Sequence, residues 1–353
     1  MPRNDALHAA RLTAQLLAGD KVGTPEAVVE RVLAVQGQDP RGFRLAIRAR
    51  SAGLSAADVD SALTDRRSLV VTWLNRGTLH LVRAEDYWWL HPLTTPQLTT
   101  GSETRLRQEG VSPIQAERGV EIIAAEVARG PRTRDELRDA LDNAGIVTAG
   151  QATYHLLFLA ALRGDLVRGP MRGNEQAFVG AVDWLGPAPE PLERSEALAT
   201  LALRYLAGHG PAAAQDLAKW AGITLRDARA GLAAGDGVVE ISDGLFGLAD
   251  REQPAPIPSP RLLGPFDPLL LGWASRADVV GLATGLVTNN GLFRPFAMVG
   301  GRAVATWGLA GGKVEIKLFE PIKVSAQKAL MADARDVLRY LSLPDADGTC
   351  VLP

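Results

Sequence analysis

Apolar positions along this chain recur with two alternating periods, in an order that repeats. In ALHAARLTAQLLAG, Leu7, Ala10, Leu12 and Leu16 fall at helical spacing. TPEAVVERVLAVQ follows with Thr24 as N-cap and Pro25 at the first helical position, and DPRGFRLAIRAR predicts a third helix capped by Asp39. LSAADVDSALTD is a further helix. The period then drops to two in LVVTWLNRGTLHLV, two β-rich runs around Asn75-Arg76-Gly77 that read as a hairpin.

The same order returns twice. ERGVEIIAAEVARG, then TRDELRDALDNAG with the capping-box pair Thr133 and Glu136, then GQATYHLLFLAALRGDLVRG running through a Gly164-Asp165 turn into a strand, make the second copy. SEALATLALRYLAGHG, AAAQDLAKWAGI and TLRDARAGLAAGDGVVEISDGLFGL make the third. Helix, turn, helix, helix and a glycine-marked hairpin is the pattern of a winged helix-turn-helix, and its recurrence is the main organising feature. After the proline-rich REQPAPIPSP the pattern turns to short β runs, with turns at Asn289-Asn290-Gly291 and Gly300-Gly301, an alternating strand KVEIKLFEPI and a closing helix AQKALMADARDVLRYLSL. The expected fold is mainly α with β (α+β): three tandem winged helix-turn-helix units over 1–110, 111–186 and 187–250, then a C-terminal antiparallel β-barrel-like domain over 251–353 capped by that closing helix.

Composition narrows the functions. Of the 353 residues, 46% are hydrophobic, yet no apolar run reaches membrane-spanning length and the N-terminus MPRNDALHAARLTAQ has no apolar signal region, so a cytoplasmic protein is expected. The single cysteine, Cys350, and five scattered histidines suggest neither a disulfide nor a metal site, and no cofactor is expected. A phosphate loop, a dinucleotide fingerprint and a nucleophile elbow are all missing from the sequence. Net charge is −2, but Arg31 to Arg50 holds five arginines against one acid, Asp39. A basic patch on a near-neutral chain fits DNA contact confined to one face. On the helix starting at Pro40, Arg41, Arg44 and Arg48 share one face at i, i+3, i+7, with Phe43, Ala46 and Ile47 turned to the core. Just ahead of that helix stand two neutral amides, Gln36 and Gln38, which point the same way if the backbone is extended.

The VQGQDPRG segment resembles the (Q/H)-x-(Q/D) signature of the helix-turn-helix 42 superfamily of bacterial DNA glycosylases, and the Q-x-Q form resembles its AlkZ-like branch. LNRGTLHLV, LLGPFDPLLLGWASR and NNGLFRPFAMVGGRAVATW are similar to the family's other segments and stand in its order across roughly residues 5–345. The resemblance implies a fold of three winged helices and a C-terminal β-barrel. It implies a monofunctional glycosylase that excises N7-alkylated guanine, bulky adducts and interstrand crosslinks included, from double-stranded DNA. Gln36 and Gln38 would be the catalytic pair, and a hairpin of the C-terminal half would probe the DNA groove, with Asn289, Asn290 and Arg294 as candidates.

DNA contacts are also expected of Arg76 and His80 on the first hairpin, with hairpin packing an equal alternative for both. Trp88 and Trp89 are candidate base-stacking or core residues, and Asp267 in FDPLL is expected to order a turn between domains. A monomer is expected. The rival reading is a non-enzymatic winged-helix DNA-binding protein or transcriptional regulator.

Overall fold

The computed structural model describes residues 3–173, 175–281, 285–288, 291–343 and 350–351, and the chain forms two compact units. The first comprises residues 1–60 and 198–353, the second residues 61–197. Among the described residues no helix is long and apolar enough to cross a membrane.

The first unit opens with α1 (Arg3–Ala14), α2 (Pro25–Val32), the two-residue strand β1 (Val35–Gln36) and α3 (Pro40–Arg50), and α4 (Ala56–Thr64) begins in it. Both anticipated caps form. Thr24 accepts from the Ala27 N–H at 3.2 Å, and Asp39 accepts from the Gly42 N–H at 2.7 Å, each with a proline at the first helical position.

The second unit carries β2 (Leu69–Leu74) and β3 (Thr78–Arg83), the hairpin expected around Asn75–Gly77, then α5 (Ala84–Thr94), α6 (Thr99–Gln108), α7 (Pro113–Val127), α8 (Arg134–Asn143), α9 (Ala152–Leu162), the hairpin β4 (Leu166–Arg172) and β5 (Glu175–Gly180), and α10 (Ala181–Leu185). Within this unit β3, β2, β4 and β5 lie side by side in that order. The Thr133–Glu136 capping box forms as anticipated. The helices bury one core around Trp73, whose ring stacks on Phe178 at 6.3 Å and meets Tyr154 and Phe158 edge-on.

The chain returns to the first unit with α11 (Arg194–His209), β6 (Ala212–Ala213), α12 (Ala214–Ala221), α13 (Leu225–Ala234), β7 (Val238–Ser242) and β8 (Leu245–Leu248), closing a three-stranded sheet in the order β6–β8–β7. Residues 251–260 hold no regular element. They run against the start of the chain instead of spanning a gap: the Ala255 N–H donates to Thr13 Oγ1 at 2.9 Å, and Glu252 pairs with Arg31.

The last elements are β9 (Arg261–Leu263), α14 (Pro268–Leu271), α15 (Ala277–Val280), β10 (Phe296–Val299), β11 (Arg302–Ala310), β12 (Lys313–Leu318), α16 (Val324–Tyr340) and β13 (Cys350–Val351). The sheet runs β13–β12–β11–β10–β9, antiparallel except for the parallel β12–β13 edge. Among the described residues its ends do not meet, so the expected barrel is corrected to an open sheet. One face is covered by α16, the closing helix expected to cap it, through Leu330, Ala334, Val337 and Leu338, and the same core reaches Leu45 of α3. That helix supplies the burial that closure would have supplied.

Candidate active site on a strained turn

Between α2 and α3 the backbone makes a rare turn. Leu33 has φ 63° and ψ −51°, and the Ala34 N–H donates to the Val32 carbonyl at 2.8 Å. This is the classic γ-turn, a strained conformation for a side chain branched like leucine's. Such strain, about 1–3 kcal/mol, persists only where packing leaves no alternative. Leu33 is fully buried, with buried Val32 and Ala34 on either side. From above, α11 presses its backbone onto the turn at Gly208. A Cβ there would overlap the Arg31 carbonyl and come within 2.8 Å of Val32 Cα. Gln15 fixes the same crossing by donating to the Gly208 carbonyl at 2.7 Å.

The turn delivers Gln36 and Gln38. Gln36 is buried, 8% exposed, and Gln38 is exposed. Gln36 donates through Nε2 to Gln38 Oε1, so the two side chains the sequence singled out form one hydrogen-bonded unit. The pair keeps the Gln36 carbonyl oxygen as an acceptor and the Gln38 NH2 group as a donor, and among the described residues no other side chain or backbone group claims them. Neither group titrates. The arrangement can hold a water or a sugar oxygen and can stabilise developing positive charge, but it cannot deliver a proton.

Downstream, α3 is held by contacts the sequence does not announce. A Cβ at Gly42 would lie 2.7 Å from the Pro265 carbonyl oxygen, and one at Gly264 would lie 2.9 Å from Leu45 Cβ and 3.0 Å from the Gly42 carbonyl oxygen. Two glycines thus let the LLGPFDP segment lie directly on the helix. At the other end Arg50, fully buried, donates twice to Asp267 (2.8 and 2.9 Å), once to Gln15 (2.8 Å) and once to the Ala46 carbonyl (3.0 Å). Asp267 also caps α14 through the Leu269 N–H at 2.9 Å. The expected ordering role of Asp267 is therefore specific: it neutralises the helix that follows the glutamines.

The arginine face needs correction. Phe43, Ala46 and Ile47 are buried as expected, and Arg41 is exposed. Arg44 is only partly exposed, bonded to Asp60 at 2.9 Å and to the Pro40 carbonyl at 2.7 Å. Arg48 does not face solvent at all. It is 4% exposed, donating to Asp333 and Asp336 of α16 at 2.7 Å each and to the Leu262 carbonyl at 2.8 Å. Those carboxylates hold its pKa above the ordinary value against the opposing pull of burial. Arg50 was not anticipated, because helical spacing alone cannot show that an acid far along the chain turns an arginine inward.

In the second unit, Arg76 is exposed at the tip of the β2–β3 hairpin. His80 is buried on β3, its Nδ1 2.8 Å from the Thr78 carbonyl, and burial together with the Arg76 charge pulls its pKa down to about 4. An uncharged, buried imidazole fits the packing reading of His80 rather than the phosphate contact. Trp88 and Trp89 are half-buried on α5, with Trp89 donating to Asp86 at 3.1 Å. In the C-terminal part of the first unit, Arg294 is exposed beside Phe293, which bridges to Val287 and carries Arg276 over its ring. Asn289 and Asn290 lie outside the described residues.

With this geometry in place, the comparisons with known proteins are direct. Residues 29–340 match the family described as DNA glycosylase AlkZ-like. The chain is 30% identical over 376 aligned positions to the interstrand DNA cross-link repair glycosylase of Streptomyces sahachiroi, covering 97% of this chain and 96% of that protein. The solved structure of the Streptomyces sahachiroi DNA glycosylase AlkZ superposes with a TM-score of 0.79 at 26% identity, covering 98% of this chain and 99% of that one. The family match spans the glutamine turn, the arginine helix and the LLGPFDP cradle alike, and the chain belongs to the AlkZ-like DNA glycosylase family.

Proposed function

We propose that this enzyme is a monofunctional glycosylase for N7-alkylated guanine in double-stranded DNA, bulky adducts and interstrand crosslinks included, with Gln36 and Gln38 as its catalytic pair. The observation that carries the reading is the hydrogen-bonded pair of neutral amides on a strained, buried turn. Alkylation at N7 places a positive charge on the base, which makes it a good leaving group without a general acid. Glycosidases that must protonate their leaving group use two carboxylates. Here the C1′–N9 bond breaks with its electron pair moving onto the base, which neutralises the charge. Water adds to C1′, its proton goes to solvent, and an abasic site and free alkylguanine remain.

The amides' part is placement and charge. The Gln36 carbonyl oxygen accepts from the attacking water and faces the developing oxocarbenium ion, and the Gln38 NH2 group holds a sugar or phosphate oxygen. Their mutual hydrogen bond fixes both rotamers in advance, and such positioning supplies several kcal/mol of barrier reduction. Gln38 is exposed, so a base still tied to the opposite strand need not enter a closed pocket, as a flipped base must. The relative in Streptomyces sahachiroi is named for interstrand crosslink repair, which supports extending the crosslink reading to this chain. We read the helix–helix–helix–hairpin runs α7–α8–α9–β4–β5 and α11–β6–α12–α13–β7–β8 as winged helices, and α1 to β3 as a third, more elaborate one. Exposed Arg41, Arg76 and Arg294 are the proposed DNA contacts. Membership of a glycosylase family displaces the regulator as a reading of the whole chain.

The test is incubation with duplexes carrying N7-methylguanine or an N7-linked crosslink, followed by hot alkali. Strand breaks at the lesion are expected. Gln36→Ala and Gln38→Ala should each cut the single-turnover rate about 10²–10³-fold, the scale of losing one preorganised polar group, while leaving duplex affinity near wild type. Full activity in both variants would refute the assignment.

A further inference from the structure

At the far end of α3 from the glutamines the first unit holds a cleft of about 540 Å³, lined by the C-terminus of α3, residues 51–54, the start of β9 and one face of α16. Its size suits a nucleotide-sized group rather than a lone ion. Four cationic side chains line it, Lys21, Arg48, Arg261 and Arg339, against two carboxylates, Asp333 and Asp336.

The carboxylates are already committed. Asp333 accepts from Arg48 and from the Leu262 N–H, both at 2.7 Å, and Asp336 accepts from Arg48 and Arg339, again at 2.7 Å. Lys21 and Arg261 are left as the unmatched charges. Arg261 spends one Nη1 hydrogen on the Ala49 carbonyl. Lys21 is exposed at the rim and makes no hydrogen bond or ion pair among the described residues. Arg48 Nε, in the buried wall of the cleft, also makes no hydrogen bond. Partial desolvation and the neighbouring Arg261 and Arg48 charges pull the Lys21 pKa down to about 8, against the weaker opposing pull of Asp333 and Asp336.

We propose that this cleft is a second DNA subsite, in which Lys21 and Arg261 hold a backbone phosphodiester. The inference rests on the reading of the chain as acting on DNA. Helix α3 spans from the glutamines, at its N-terminal end, to the cleft, at its C-terminal end. Eleven residues of helix set the two ends ~16 Å apart, about five base-pair rises of 3.4 Å, so the phosphodiester held here belongs to undamaged flanking DNA. Such a contact contributes affinity and register and reads no base.

The experiment uses the full chain and a fluorescently labelled undamaged duplex, with Kd measured by anisotropy across a salt series. Lys21→Gln is expected to weaken binding about three- to tenfold at low salt and to reduce the salt slope by about 1. Lys21→Arg should restore both. Arg261→Gln should weaken binding in the same direction, with a melting curve checking that its Ala49 contact is not required for folding. Kd and slope unchanged in Lys21→Gln would overturn the proposal. So would a melting temperature raised by millimolar pyrophosphate in the wild type but not in Lys21→Gln, if DNA affinity were equal in the two, because the cleft would then take a free anion. Since the duplex carries no lesion, these readouts stand or fall independently of whether N7-alkylguanine is the base excised.

Discussion

Replacing Asp267 by alanine strands a charge. Arg50 and Asp267 are both fully buried, and two of the four hydrogen bonds made by the Arg50 guanidinium go to this one carboxylate. In Asp267→Ala the guanidinium keeps the Gln15 amide oxygen and the Ala46 carbonyl, two neutral acceptors, and loses its counter-charge. Breaking a buried pair by removing one partner costs ~3–5 kcal/mol. Loss of the α14 cap at the Leu269 N–H adds ~1 kcal/mol. Against a typical total stability of ~5–15 kcal/mol, that is a large share of the margin. Urea denaturation followed by far-UV circular dichroism should show the transition moved down by ~1–2 M for a slope of a few kcal/mol per molar. The companion variant isolates the cause. Arg50→Met in the Asp267→Ala background removes the stranded charge and fills its volume, so the double variant should recover most of the loss, as buried pairs replaced by apolar side chains commonly do. A single variant within ~0.5 kcal/mol of wild type would refute the argument. So would a double variant as unstable as the single, since the damage would then lie in packing and not in charge.

Two other outcomes follow from the same contacts. Gly208→Ala should destabilise by ~1–3 kcal/mol through overpacking and should slow excision even at temperatures where the protein stays folded, because the added methyl pushes on the Arg31–Val32 backbone that sets the glutamine turn; Gly101→Ala, helical, exposed and with nothing near its added Cβ, should instead stabilise by ~0.5–1 kcal/mol in the same melting assay. The Lys21 pKa of about 8, set by burial and by Arg261 and Arg48 against the pull of Asp333 and Asp336, means the ammonium is charged below pH 8 and lost above it, so the salt slope of duplex binding should fall by about 1 between pH 7 and pH 9.5 in the wild type and stay flat in Lys21→Gln.

What could be read from the sequence was what depends on neighbours in sequence. The caps at Thr24 and Asp39, the Thr133–Glu136 box and the hairpins at Asn75–Gly77 and Gly300–Gly301 each need only a few adjacent residues, and each formed where it was expected. The fate of the α3 arginines was different in kind. Arg41 and Arg48 occupy equivalent places on a helical wheel, yet one meets solvent and the other meets Asp333, a partner 285 positions away. Arg50 meets Asp267 across 217 positions. The cap by α16 was legible as a closing amphipathic helix, but the open sheet was missed for a related reason: strand periodicity shows that strands form, not whether the two end strands find each other. The candidate site combines both cases. Two glutamines are visible as a motif only through family resemblance, because a neutral amide leaves no signature in charge or periodicity. The turn that pairs them is set by Leu33, held in its γ-turn by burial, and by Gly208, chosen for what its missing side chain allows. A lost methyl group at position 208 and a strained leucine at position 33 are unremarkable letters in the sequence, and only the backbone of α11 lying on the end of α2 gives them meaning.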